Sequence, residues 1–207
     1  AASDVYKRQL IIISCGMSLV MITGGIDISV GGVVALVSMC CAVYLDYHGG
    51  NIFGAIGISL LIGLGFGLVQ GYLVAYLDIQ PFIVSLAGMF FARGMTTIVN
   101  TNPFNVANEQ FVALKDTRIT IPGMGSVNKL GNYVNAYIEI GVVVALLVVI
   151  LLFCVLRFTK FGRKFYAVGG NSQSALMLGI NVKRTQFFAY LICSVLACLL
   201  YTSPSPR

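Results

Sequence analysis

The sequence predicts an all-α, polytopic integral membrane protein, and three observations predict it. Apolar residues make up 58% of the 207-residue chain, charged residues only 10%, and mean hydropathy is +0.92. A soluble domain carries about 25% charged residues, so there is too little polar surface here to cover a water-facing globule. The apolar residues also fall into long runs separated by short polar turns. Finally, six of the thirteen Lys and Arg residues lie between Arg157 and Arg184, with no acid among them. That is how a cytoplasmic loop looks under the positive-inside rule. It accounts for the net charge of +6 without a nucleic-acid partner. High hydrophobicity excludes intrinsic disorder.

About six transmembrane helices are expected. Residues 10–45 form one apolar stretch interrupted at Gly24-Gly25-Ile26-Asp27-Ile28-Ser29-Val30-Gly31-Gly32. It is too long for one span and slightly short for two, so two short helices meeting at the Gly-rich break fit best. Asp46, His48, Gly49, Gly50 and Asn51 make a turn. Residues 52–77 are a clear span, and Asp78 to Pro81 a tight turn with Pro81 suited to a first helical position. Residues 82–99 are the next span. Residues 100–135 are polar and rich in Asn, Gly and Pro. Residues 137–156 form a span, residues 157–186 the basic loop, and a last span starting near Phe187 reads as cut short. Alternation from the basic loop puts 157–186 inside, 100–135 outside, the turn at Asp78 inside and that at His48 outside. Residues 1–9 read as a non-native or disordered end and 198–207 as a non-native tail, leaving 10–197 as a partial membrane domain.

Asp27 is the most informative single residue. A carboxyl at membrane depth is costly and faces a cavity or a partner, and broken helices are tolerated only where they face protein or water. Two roles stay open at this stage. Asp27 or Ser29 caps the helix beginning near Val30, or both line a solute path or gate. Gln70, the only strongly polar residue of its span, is a further candidate for that solute path or gate. Arg93 lies about 9 Å from the end of its span, where it either snorkels to the interface or joins the path. Gly63, Gly67 and Gly71 repeat on one helical face, a stripe that lets helices approach closely in lipid. Cys15, Cys40, Cys41, Cys154, Cys193 and Cys198 form no C-x-x-C pair and read as buried thiols. No ATP-binding, metal-binding or nucleophile–base motif is visible, so neither catalytic residues nor a metal or other cofactor is expected. In the basic loop, Gly169-Gly170 permits a sharp turn. Asn171 or Ser172 then caps a short helix ending at Gly179.

Three segments in order carry a resemblance: residues 24–31, Pro81 to Gly94, and Gly162 to Asn171. Together they resemble the ribose/galactose-type permease subunits of bacterial ABC sugar importers, closest to the galactofuranose type. The likeness runs over essentially residues 10–197. It implies a permease that is no enzyme itself, set in the bacterial inner membrane and paired with a second permease subunit. Two cytoplasmic ATPase subunits and a periplasmic sugar-binding protein complete such an importer, and a sugar is its substrate. It also implies that the short helix is a coupling helix on the ATPase, involving Gly169, Gly170, Asn171, Gln173, Ala175 and Gly179. The family's Glu-Ala-Ala-x-x-x-Gly core reads here as Gln173-Ser174-Ala175 through Gly179, with the acid replaced. Family members are longer than this chain. Against this stands an ion-coupled secondary transporter or channel, for which Asp27 at a broken helix is also suited. An intramembrane enzyme lacks a visible catalytic pair.

Overall fold

The computed structural model describes residues 2–47, 51–99, 118–127 and 133–199. Among them are eight helices and one β-hairpin. Helix α1 (Ala2–Ile22) opens the chain and α2 (Val30–Tyr47) follows the Gly-rich break. Residues 2–9, expected as a non-native or disordered end, are helical and continuous with the rest of α1. They contain neither Gly nor Pro, so nothing in them interrupts α1. Helix α3 (Ile52–Ala75) and α4 (Pro81–Val99) come next. Between them Asp78 adopts φ 53°, a left-handed conformation Asp tolerates better than most residues.

Strands β1 (Arg118–Val127) and β2 (Tyr133–Glu139) form an antiparallel hairpin, pairing Arg118 with Glu139 and Val127 with Tyr133. The register shifts between Thr120 and Gly125. This hairpin occupies part of the stretch expected to be an irregular outer loop. Residues 100–117, the turn at His48 and the tail from 200 lie outside the described residues.

Helix α5 (Ile140–Phe158) is bent by 76° from α6 (Lys160–Gly170). Thr159 makes the corner. Its backbone is extended, its hydroxyl donates to the Val155 carbonyl at 2.6 Å, and its oxygen accepts from Gly162 N at 3.2 Å. A β-carbon on Gly162 would collide with the Leu156 backbone, so the corner closes only over glycine. Helix α7 (Ser172–Met177) and α8 (Val182–Leu199) complete the chain. The expected basic loop is thus largely helical. The last span also begins earlier than Phe187, because Asn181 Oδ1 accepts from Arg184 N at 3.0 Å and caps α8 ahead of Lys183 and Arg184. At 18 residues α8 is about 27 Å long, enough to cross much of a bilayer core.

Among the described residues α3, α4 and α8 can each cross a membrane by length and composition, and the count rises to four only if the bent α5–α6 pair is taken as one broken span. Leu10–Ile22 and Val30–Leu45 are shorter apolar helices, as the interrupted first stretch predicts. Helix α8 packs against α3, α1 and α2. Leu19, Val20, Val74, Phe165, Tyr190 and Cys193 form one cluster, and Val33, Val37, Cys41, Leu45, Ala55 and Cys198 a second. The outward faces stay apolar: Leu146, Leu147, Ile150, Leu151, Phe153 and Cys154 of α5 are exposed, the last against the expectation of a buried thiol. Ser14, Ser18, Ser38 and Thr96 return their hydroxyl protons to carbonyls four residues back, which removes unsatisfied donors from apolar surroundings.

One end of the bundle collects the Asp78 turn, the end of α1, helices α6 and α7, and the start of α8. Lys183 Nζ lies 3.4 Å from Asp78 Oδ2 there, an exposed ion pair joining the α3–α4 turn to α8. Gly169 of α6 meets the carbonyl of Ile22.

Candidate functional site

The break between α1 and α2 is built, not frayed. Gly24 N donates to the Met21 carbonyl and Gly25 N to the Val20 carbonyl, both at 3.0 Å, with Gly24 at φ 80°. This pair of bonds closes a helix on a left-handed glycine and satisfies its last carbonyls. A β-carbon on Gly25 would stand 2.5 Å from the Tyr190 hydroxyl, which donates to the Ile26 carbonyl at 3.4 Å.

Asp27 follows and is 1% exposed. Its Oδ1 accepts from Ser29 N at 3.0 Å and from Ser29 Oγ at 2.6 Å. It therefore orders the residue that leads into α2, while the Ser29 hydroxyl is spent on Asp27 and not on capping. Ser29 Oγ also lies 3.1 Å from Gln70 Oε1 of α3. One hydroxyl proton cannot serve both acceptors. It belongs to the nearer one, Asp27, and with the Gln70 amide turned over, Nε2 donates to Ser29 Oγ. With the amide carbonyl toward Ser29, neither Gln70 Nε2 nor Asp27 Oδ2 has a hydrogen-bond partner among the described residues. Gln70 is 3% exposed, so these are costly groups to leave open.

Three contributors to this cluster carried no signal of their own in the sequence. Gly88 of α4 leaves the space Gln70 fills, since a β-carbon there would collide with the amide. Tyr190 and Cys193 close the cluster from α8. The Cys193 thiol approaches the Asp27 carboxyl, but as a weak donor. Only the assembled bundle brings these residues beside Asp27. Arg93 does not join them. It is exposed on α4 and makes no ion pair with Asp27.

The three spaced glycines lie along α8. A β-carbon on Gly67 would stand 2.9 Å from Leu191 Cα, and one on Gly71 3.0 Å from the Phe187 carbonyl oxygen. At Gly63 it would collide with Cys198 Sγ. The α3–α8 contact is therefore backbone to backbone. Gly65, on the other face, meets nothing within 4 Å.

At the α6–α7 end the sharp turn is made by Asn171, not by Gly169-Gly170, and this corrects the expectation. Both glycines are the last residues of α6, while Asn171 is extended at φ −157° and ψ 108°. The reason Gly169 must be glycine is the carbonyl of Ile22, which leaves no room for a β-carbon. Asn171 Oδ1 accepts from Gln173 N and Ser174 N, both at 3.0 Å, and caps α7. Gly179 sits at φ 76°, with Gly179 N donating to the Leu176 carbonyl and Ile180 N to the Ala175 carbonyl. The short helix is thus locked at both ends. Ala175 faces inward at 1% exposed, whereas Leu176, Met177 and Leu178 stand outward, Met177 at 88%. Gln173 is exposed. These three outward apolar side chains are what a reading of the cap residues alone missed.

Residues 7–200 match the family described as the branched-chain amino acid transport system permease component. The chain belongs to this permease family. The fructose import permease protein FruG of Bifidobacterium longum is 38% identical over 193 residues, covering 92% of this chain and 54% of that protein. The inner membrane ABC transporter permease protein YjfF of Escherichia coli is 34% identical over 188 residues, covering 91% and 54%. The ribose import permease protein RbsC of Escherichia coli is 32% identical over 189 residues, covering 91% and 55%. The permease chain thus spans about half the length of these relatives. No solved structure matches it.

Proposed function

We propose that this chain is part of the membrane-spanning subunit of an ATP-driven importer for a monosaccharide. The observation that carries the reading is α7: a helix capped at both ends, presenting Leu176, Met177 and Leu178 outward beside a basic surface. Apolar side chains held out on a rigid element mark a contact with another protein. The named import activities of the fructose and ribose relatives supply the solute class. On this reading α6 and α7 lie in the cytoplasm and the β-hairpin in the periplasm of a bacterial inner membrane. Helix α7 docks on a separate ATPase subunit, a second permease subunit completes the pathway, and a periplasmic sugar-binding protein delivers the sugar.

Asp27, Ser29 and Gln70 then act as a closed gate near the inner end of the pathway. A short hydrogen-bonded chain ties the break to α3 and excludes solute while it holds. Arg93, exposed on α4, is free to face the pathway or the second permease subunit. Gly63, Gly67 and Gly71 hold α3 against α8, so the gate's two sides keep a fixed reference.

The test is a pull-down from detergent of the full-length gene product, expressed with its neighbouring genes. A co-purifying ATPase, lost on deletion of residues 162–179, is the expected result. The free Asp27 Oδ2 favours one second reading, an ion-coupled carrier with that oxygen as an ion ligand. Uptake that follows an ion gradient with no ATPase bound would select it.

A further inference from the structure

We infer that Gly169 is a positioning residue that passes movement of α7 to the Asp27 break through the backbone carbonyl of Ile22. The inference rests on the permease reading above and adds a specific joint to it. Gly169 lies in the last turn of α6 and packs on that carbonyl with no room for a β-carbon. Ile22 is the final residue of α1, so whatever moves it moves the start of the break. On its other side, Gly169 precedes Asn171, the residue that caps α7, by a single glycine. The joint therefore sits between the docking helix and the gate.

Helix α6 is fixed well enough to transmit a push. Phe165 is fully buried, and Phe161 stacks edge-on against Phe165 at 4.8 Å and Phe188 at 5.8 Å. Thr159 and Gly162 set its angle to α5. Close-packed elements move as bodies and do not absorb a displacement. Gly169 bears on a backbone oxygen, which cannot swing aside as a side chain can. Downstream, the break is held by few bonds: the Tyr190 hydroxyl on the Ile26 carbonyl at 3.4 Å, and the Ser29 contacts to Asp27 and Gln70. Displacement entering at Ile22 reaches these contacts first, with the 3.4 Å Tyr190–Ile26 bond the longest of them. Gly170, one residue on, faces open space, so the close fit belongs to Gly169 and not to the segment at large.

The experiment uses the full-length gene product purified with its ATPase and reconstituted in vesicles. Gly169→Ala is compared with wild type and with Gly65→Ala, whose β-carbon meets nothing within 4 Å. Gly65→Ala should match wild type. Gly169→Ala should keep the ATPase bound and hydrolysing while uptake falls about tenfold. Uptake equal to wild type would overturn the inference. Since Gly169→Ala can fail to fold, a second readout keeps the native glycine. Ile26, half exposed within the break, is replaced by Cys on a Cys154→Ser background. Its rate of modification by a water-soluble maleimide is then followed with and without a non-hydrolysable ATP analogue. A change of about threefold on nucleotide binding supports the joint. A rate indifferent to nucleotide, with the ATPase bound, overturns the joint and the gate assigned to the Asp27 break, while the bound ATPase leaves the permease reading standing. Absence of any ATPase removes both.

Discussion

A carboxyl in the apolar interior is defined by which of its oxygens is answered. Asp27 Oδ1 has two donors from Ser29, and Oδ2 has none among the described residues. Asp27→Asn keeps an acceptor for Ser29 and turns its amide nitrogen toward the unanswered side. ATP-driven uptake should therefore survive this change, whereas transport driven by an ion bound to Asp27 should vanish. Uptake assays under each driving force separate the two. Ser29→Ala removes the hydroxyl between Asp27 and Gln70 and should cost about 1–3 kcal/mol by stranding buried polar groups. A lowered thermal midpoint in detergent checks it. The sequence made Asp27, Ser29 and Gln70 legible because polar residues in apolar runs are conspicuous. Gly88, Tyr190 and Cys193 were not legible. A glycine, an aromatic and a thiol are ordinary in such runs, and only the packing of α4 and α8 puts them beside the carboxyl.

Element ends differ in how much of their geometry is set by residues near in sequence. Asn171 and Gly179 were visible as cap and stop of α7 because each residue type performs its task locally. Gly169-Gly170 was misread as a turn, since two adjacent glycines look alike whether they supply backbone freedom or the absence of a side chain. At Gly169 it is the second, and the neighbour that demands it, Ile22, is remote in sequence. The start of α8 was placed too late because Lys183 and Arg184 read as loop, although Asn181 caps the helix before them. Gly179→Arg forces a side chain into φ 76°, so α7 should lose its outer end. Membrane insertion should be unchanged, and ATPase co-purification should drop. Along α3, Gly67→Leu pushes on the Leu191 backbone and should destabilise the α3–α8 pair by about 1–3 kcal/mol, while Gly65→Leu should be neutral. Thermal unfolding of the two variants side by side tests the contrast.

For the molecule taken whole, composition settles the class and the arrangement of polar groups settles where to look. Among the described helices, polar contacts between elements include the Asp27–Ser29–Gln70 cluster and the Lys183–Asp78 pair at the end carrying α6 and α7. Met177→Asp changes a side chain that is 88% exposed, so the fold should be untouched. If α7 docks as proposed, the same change puts an acid into an apolar contact, so ATPase binding should weaken by at least about tenfold, measured by titration of the purified ATPase. The β-hairpin had no counterpart in the sequence reading, although Val134, Ala136 and Ile138 alternate with Tyr133, Asn135, Tyr137 and Glu139, because that alternation straddles the border between the polar stretch and the span expected from 137.

The outward side chains of α7 have a further consequence for the cell. Until a partner covers them, Leu176, Met177 and Leu178 keep apolar surface in water at a cost of about 25 cal/mol per Å². If α7 docks as proposed, a newly made subunit without its ATPase would display apolar surface of the kind that proteases and chaperones recognise. On the docking proposed above, the abundance of the membrane subunit would follow that of its ATPase without any dedicated regulator.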